Sequence, residues 1–173
     1  MQVLRIATDG CVSCQVMQTM VALPLRTVIA PQIEREILID APVDVVWRVV
    51  TQPDEMDRWL SEKADVESRP GARGTIRMSA RTTYNIVIEA IEPHRRFAFR
   101  WAHPDATTPD VSNSMLVEFT FHPEAGGTRL RVVESGFDRI DWDDEAKRAY
   151  FDGHNNGWPG LLTRLRDLIG SET

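Results

Sequence analysis

The chain has 173 residues, of which 42% are hydrophobic and 27% charged, and its net charge is −6 at neutral pH. This length and composition are typical of one globular domain with a sizeable core. The negative charge argues against a nucleic-acid-binding protein, which usually presents a basic face. The apolar runs are all too short to span a membrane. We therefore expect a cytoplasmic protein that binds neither nucleic acid nor membrane.

The first 31 residues differ from the rest of the chain. They carry few charges, and their apolar run, Val16–Leu25, is interrupted by Gln18 and Thr19, which argues against a secretory signal peptide. We expect residues 1–31 to form an N-terminal extension that is poorly ordered or is added to the domain as a short strand or helix. The domain itself is expected to span residues 32–173.

Cys11 and Cys14 form an isolated CxxC pair in this extension. A metal site of that kind needs two further ligands at suitable spacing, and the four histidines of the chain do not form such a pattern. We therefore expect two free thiols, no bound metal and no cofactor.

The predicted domain begins with a strand and two short helices. Ile33–Ile39 alternates apolar and charged residues, as a strand does. Asp40 is the predicted cap of the first helix, with Pro42 in its first turn. Thr51–Leu60 is predicted to be a second helix that opens at Pro53. Two helices directly after one strand fit neither a repeated βαβ unit nor a plain sandwich.

From this point the sequence alternates between apolar and polar residues, which predicts strands joined by short turns. The predicted strands are Asp65–Ser68, Thr75–Ala80, Thr83–Ile91, Arg95–Trp101, Met115–His122 and Thr128–Ser135. Strands joined in this way form a meandering antiparallel sheet with one apolar face.

The C-terminal stretch Asp141–Ile169 predicts a long helix that covers this face. Acidic residues fill its opening turn, and apolar residues recur with helical spacing after Trp158. Gly153 and Gly157 predict a break or kink between two halves, with Pro159 in the first turn of the second half. We therefore expect an α+β fold in which a curved sheet and one helix enclose a cavity.

Five segments resemble one known family. They are APVDVVWRVVTQPDEMDRWL (Ala41–Leu60), PGARGTIRM (Pro70–Met78), IEPHRRFAFRW (Ile91–Trp101), GGTRLRVVESGF (Gly126–Phe137) and NNGWPGLLTRL (Asn155–Leu165). Over about residues 32–170 the chain resembles the activator-of-Hsp90-ATPase-homologue branch of the START/Bet v 1-like (SRPBCC) superfamily. The first 31 residues have no counterpart there.

The resemblance implies a helix-grip fold, a curved antiparallel sheet wrapped around a long C-terminal helix. It also implies a variable function, since members bind lipids, hormones or polyketide-like molecules, catalyse cyclisation or hydrolysis, or act on a chaperone. We expect this chain to bind a small hydrophobic or amphipathic molecule in its cavity. Two alternatives stay open: a cavity enzyme with cyclase- or hydrolase-type acid–base chemistry, and a stress-response module that binds a chaperone or another protein.

Inward-facing side chains are the candidates for ligand contact, although aromatic ones often only fill the core. Glu134 continues the inward parity of Leu130 and Val132. It is expected to anchor a ligand or act as an acid, or else to be solvated or paired with a structural arginine. The enzyme hypothesis predicts that Glu134→Gln abolishes turnover and leaves folding largely intact. Tyr84 either orients a ligand or bonds the backbone, and His154 is expected to be a satisfied histidine rather than a base. The candidate ligand-binding residues are Trp59, Met78, Tyr84, Ile86, Phe99, Trp101, Phe119, Glu134, Phe137, Tyr150 and Trp158.

Overall fold

A computed structural model describes residues 32–103 and 108–171. The strands in these ranges are β1 (Gln32–Ile39), β2 (Lys63–Asp65), β3 (Arg73–Ser79), β4 (Thr82–Glu92), β5 (Arg96–Ala102), β6 (Ser114–Glu124) and β7 (Gly127–Ser135). The α-helices are α1 (Val43–Thr51), α2 (Pro53–Trp59) and α3 (Asp144–Gly170), and a 3₁₀ turn spans Phe137–Arg139. The predicted extension, with Cys11 and Cys14, lies outside the described residues.

The seven described strands form one open antiparallel sheet in the order β1-β7-β6-β5-β4-β3-β2. Strands β2 to β7 follow one another in sequence, and β1 pairs with β7 at the far edge, where Ile33 lies opposite Glu134. The sheet curves around α3, with α1 and α2 inserted after the first strand. The prediction of an α+β helix-grip fold is confirmed.

Strand β7 illustrates how alternation divides the sheet into two faces. Leu130, Val132 and Glu134 are buried on the inner face. Arg129 and Arg131 point outward and form ion pairs with glutamates of β1, at 2.9 and 2.6 Å respectively. The inner face therefore supplies the core, and the outer face carries solvated pairs of opposite charge.

The first helix begins later than the sequence predicts. Pro42 is its N-cap residue, and no side chain caps the helix, so the predicted capping role of Asp40 is wrong. The reason is a turn between strand and helix, in which the N–H of Ala41 donates to the carbonyl of Ile39 at 2.9 Å. This turn leaves Asp40 upstream of the N-cap position.

The second helix and the strand after it also differ slightly from prediction. Pro53 opens α2, as expected. The strand predicted at Asp65–Ser68 is instead β2, Lys63–Asp65, whose position is set by Asp57 in α2 accepting the backbone N–H of Ala64.

Helix α3 runs without a break for 27 residues, so the predicted division at Gly153 and Gly157 is wrong. Asp143 caps it, since its Oδ1 accepts the N–H of Ala146 at 2.8 Å. A glycine inside a helix costs only about 1 kcal/mol relative to alanine. Burial of the apolar side chains from Trp158 onward offsets this cost and keeps the helix intact.

Pro159 lies inside α3 rather than in a first turn. Because proline has no N–H, the carbonyl of Asn155 loses its partner in the helix. Arg35, on the inner face of β1, compensates: its Nη2 lies 2.5 Å from Oδ1 of Asn155 and 3.4 Å from the Asn155 carbonyl oxygen. The Arg35 side chain thus donates a hydrogen bond to Asn155 in place of the N–H that Pro159 lacks.

The core lies between the inner face of the sheet, the two short helices and the second half of α3. The fully buried side chains of α3 are Trp158, Leu162, Leu165 and Ile169, all at or beyond position 158. The first half of the helix carries only half-buried and exposed side chains. This unequal packing leaves space between the first half of α3 and the sheet.

Candidate functional site

A cavity of about 330 Å³ lies between α3 and strands β3, β4 and β5. Its walls are mostly apolar, as is usual for pockets that hold small organic molecules. The lining residues are Met78, Tyr84 and Trp101 from the strands, and Ala149, Tyr150, Gly153, His154, Gly157, Trp158 and Leu161 from α3.

Missing side chains on α3 create part of this space. Gly153 and Gly157 lie one helical turn apart, and both line the cavity. Both glycines are exposed, and a Cβ atom added at either position would meet no atom within 4 Å outside the neighbouring backbone of the helix. The two glycines that predict a helix break therefore keep the helix surface open instead.

The only tyrosines in the sequence, Tyr84 and Tyr150, both line the cavity. The ring of Tyr84 lies 5.1 Å from that of Trp101, and the ring of Tyr150 lies 4.4 Å from that of His154. The Tyr150 hydroxyl group is buried and makes no hydrogen bond of acceptable geometry to the described residues, although the Tyr84 hydroxyl lies close enough to affect its pKa. Such a group costs free energy unless a ligand or water supplies the missing bond.

Both phenols stay protonated well beyond neutral pH. Burial raises the pKa of Tyr84 above its ordinary value, and the charge of Glu134 adds to this, although the Tyr150 hydroxyl nearby acts in the opposite direction. Burial also raises the pKa of Tyr150, and Tyr84 and Glu134 add to that effect. The cavity therefore contains two neutral hydroxyl groups that can donate hydrogen bonds.

Glu134 lies behind the cavity wall and holds that wall together. The side chain is fully buried. Its Oε1 accepts the indole N–H of Trp101 and contacts Nδ1 of His154, both at 2.8 Å, and its Oε2 accepts the indole N–H of Trp158 at 2.7 Å. The expectation of a solvated or arginine-paired carboxylate is wrong, because two indoles and an imidazole surround it.

The other sequence-based candidates divide into two groups. The residues that line the cavity are Met78, Tyr84, Trp101, Tyr150 and Trp158. The residues that pack in the core without lining the cavity are Trp59, Ile86, Phe99, Phe119 and Phe137. Trp59, for example, donates its indole N–H to the carbonyl of Val49 at 3.0 Å and so ties α2 to α1.

Sequence reasoning missed several lining residues. Ala149, Gly153, Gly157 and Leu161 were not candidates, and His154 was expected only to be a satisfied histidine. The signal was available, because two glycines four residues apart in a long amphipathic helix mark a face where side chains are absent. His154 lies on the same face, one position after Gly153.

Two further observations limit the kinds of site present. Within residues 32–103 and 108–171, no group of three or more His, Cys, Asp or Glu side chains is arranged to hold a metal ion. In the same ranges, none of the helices combines the length and the apolar character needed to cross a bilayer.

A curved sheet that grips a long C-terminal helix around a cavity defines the class of helix-grip proteins. Residues 40–170 match the family of activator of Hsp90 ATPase homolog 1-like proteins, and the chain belongs to that family. No curated protein matches the sequence.

Solved structures with the same fold include protein MLL2253 from Mesorhizobium loti, with a TM-score of 0.70 and 26% identity over 82% of this chain and 98% of that one. DynU16, a protein in the dynemicin biosynthetic locus, has a TM-score of 0.68 and 22% identity over 84% of this chain, which spans only 49% of DynU16. Aha1 from Colwellia psychrerythraea, solved as a dimer, has a TM-score of 0.64 and 16% identity over 80% of this chain and 95% of its own.

Proposed function

We propose that this protein binds a small, largely apolar molecule in the cavity between α3 and strands β3 to β5. One observation carries the proposal: open space beside Gly153 and Gly157 adjoins a buried Tyr150 hydroxyl that lacks a partner. Apolar burial would supply the affinity, and this hydroxyl would orient the molecule.

The size and walls of the cavity suggest the shape of the ligand. At the packing density of protein interiors, a 330 Å³ space holds roughly 240 Å³ of ligand atoms. That is about the size of an aromatic molecule with two or three rings. The rings of Tyr84, Trp101 and Trp158 offer faces and edges for contact with such a molecule.

The protein-interaction alternative has less support. It requires a substantial exposed apolar surface and a small or absent cavity. Among the described residues, the large hydrophobic side chains that are exposed are Leu38 and Val111. Two exposed side chains do not amount to a substantial apolar surface, whereas the cavity has room for a ligand.

The proposal can be tested by filling the cavity from the helix. Gly157→Leu would place a side chain in the open space, whereas Gly160→Leu makes the same change at an open, exposed position of α3 that does not line the cavity. Both variants gain helix propensity equally. The probe is N-phenyl-1-naphthylamine, whose fluorescence rises when it enters an apolar site.

We expect the wild type and Gly160→Leu to bind the probe with the same affinity, and Gly157→Leu to bind it at least about tenfold more weakly, a change of roughly 1.4 kcal/mol. Thermal unfolding of all three proteins checks that the fold is kept. Equal binding by the two leucine variants, or no saturable binding by the wild type, would contradict the proposal.

A further inference from the structure

His154 presents one ring nitrogen to Glu134 and leaves the other for the cavity. Its Nδ1 lies 2.8 Å from Oε1 of Glu134. The side chain is 11% exposed and lines the cavity. Its Nε2 makes no hydrogen bond to any other described residue. A ligand in the cavity is therefore the natural partner of Nε2.

The surroundings of Glu134 determine which nitrogen carries the proton. An indole N–H can only donate, and the two indoles of Trp101 and Trp158 engage one carboxylate oxygen each. An ionised carboxylate accepts all its hydrogen bonds, so Nδ1 of His154 must donate to it. In the neutral imidazole, Nε2 then holds a lone pair and acts as an acceptor.

Aromatic neighbours fix the direction of this lone pair. The imidazole ring meets the ring of Trp101 edge-on, with centroids 5.5 Å apart and planes at 87°. Phe137 makes a similar contact at 5.5 Å and 81°. Tyr150 lies against the ring with a centroid distance of 4.4 Å. The imidazole is therefore held by packing as well as by Glu134.

We infer that the cavity selects molecules bearing a phenol or enol hydroxyl group, which donates its hydrogen bond to Nε2 of His154. Glu134 is the positioning residue for this contact, because it sets the tautomer and orientation of the imidazole. This inference rests on the proposed function and names its ligand class. The Tyr150 hydroxyl remains available to a second oxygen of the same ligand.

Anionic ligands fit the same site less well. The lining contains no lysine or arginine. A carboxylate ligand would therefore be buried without a cationic partner and near the charge of Glu134. A neutral hydroxyl group avoids this cost.

The test compares two probes of the same shape, 2-naphthol and 2-methoxynaphthalene, of which only the first can donate a hydrogen bond. The variant His154→Asn removes Nε2 and keeps an N–H near the position of Nδ1, so Glu134 retains its third donor. His122→Asn is the matched control, since His122 is exposed and lies outside the lining. Affinities are measured by titration calorimetry, and unfolding in urea checks the fold.

We expect the wild type and His122→Asn to prefer 2-naphthol by roughly five- to tenfold, the size of one net hydrogen bond in an apolar site. His154→Asn should lose this preference and keep its affinity for 2-methoxynaphthalene. Excited 2-naphthol is a strong acid, so in the wild type its proton should pass to Nε2. This leaves naphtholate and imidazolium, so the emission of the bound probe, after the emission of free 2-naphthol in buffer is subtracted, should contain a naphtholate band. In His154→Asn that band should be lost from the bound probe.

The outcomes separate the two proposals. If both probes bind the wild type equally well, the ligand class is wrong and the cavity-binding function stands. If neither probe binds, the proposed function fails and this inference fails with it. If His154→Asn does not fold, the ¹⁵N chemical shift of Nε2 of His154 in the wild type decides: 2-naphthol should move it more than 2-methoxynaphthalene does, and equal shifts with both probes overturn the inference.

Discussion

At the scale of single residues, Glu134 decides how the cavity wall is built. Its carboxylate makes hydrogen bonds with Trp101 on β5, and with His154 and Trp158 on α3. Glu134, on β7, therefore links helix α3 to strand β5. Glu134 is buried behind the wall, so any acid–base chemistry in the cavity would be carried by His154 rather than by Glu134 itself.

Glu134→Gln should consequently destabilise the protein by about 3 kcal/mol, because the amide N–H₂ group would face a donor and leave it unpaired. The measurement is the free energy of unfolding in urea. Glu118→Gln is the control, since Glu118 forms a partly exposed ion pair with Arg96 on the outer face, and such pairs contribute up to about 1 kcal/mol. Equal, small losses in both variants would show that the buried carboxylate does not hold the wall.

The two tyrosines permit a second test at this scale. Because both line the cavity and the chain has no other tyrosines, the tyrosinate absorbance that appears near 295 nm as the pH rises reports on the cavity. Burial raises the pKa of each phenol in the folded state, whereas an unfolded tyrosine ionises near pH 10. We expect a weaker tyrosinate signal from the folded protein near pH 10 than from the protein in urea, where about half of each phenol is ionised at that pH.

The same shift fixes the pH dependence of stability. Above about pH 10 the folded state keeps protons that the unfolded state has lost, so the free energy of unfolding falls as the pH rises. Below that pH this contribution is fully present. Tyr84→Phe and Tyr150→Phe should each reduce the alkaline decline. Equal tyrosinate absorbance near pH 10 in the folded and the urea-unfolded wild type would contradict the burial of the two phenols.

At the scale of elements, α3 combines features that local rules treat as helix breakers. Pro159 removes a donor, and Arg35 of β1 supplies one to Asn155. Local patterns predict the existence of this helix and its apolar stripe. They cannot predict its continuity, because the compensating group comes from a strand about 120 residues earlier in the chain.

Arg35→Met should therefore reduce the free energy of unfolding by about 1–2 kcal/mol. In the Pro159→Ala variant, residue 159 again has an N–H that can bond the Asn155 carbonyl. Arg35→Met should therefore reduce the free energy of unfolding by at least about 0.5 kcal/mol less in that variant than in the wild type. Urea unfolding of the wild type, both single variants and the double variant gives this coupling energy. Strictly additive effects would mean that Arg35 does not compensate for the proline.

At the scale of the whole molecule, sequence alternation was sufficient to predict the sheet and its inner face. Strand β6 buries Met115, Val117, Phe119 and Phe121 on one side, and one amphipathic helix can cover only that side. The site was harder to predict. Phe99 and Trp101 share the inner face of β5, yet only Trp101 lines the cavity.

The difference between such residues depends on where α3 packs closely against the sheet and where it stands away. The first half of α3 has no side chains at Gly153 and Gly157, which line the cavity, and the second half buries its apolar side chains from Trp158 onward. Periodicity identifies a face, but it carries no information about the distance to the element opposite. The cavity is thus a property of the assembled fold rather than of any one segment.

The most direct test of a ligand-binding cavity is a titration of the ¹⁵N-labelled protein with N-phenyl-1-naphthylamine, followed by two-dimensional NMR. We expect saturable shifts at the backbone amides of Gly153 and Gly157 and at the indole N–H groups of Trp101 and Trp158. The amide of Gly160 and the indole N–H of Trp59, which is bonded to Val49 in the core, should stay in place. Shifts confined to other surfaces, or no saturable shift at all, would contradict binding in this cavity.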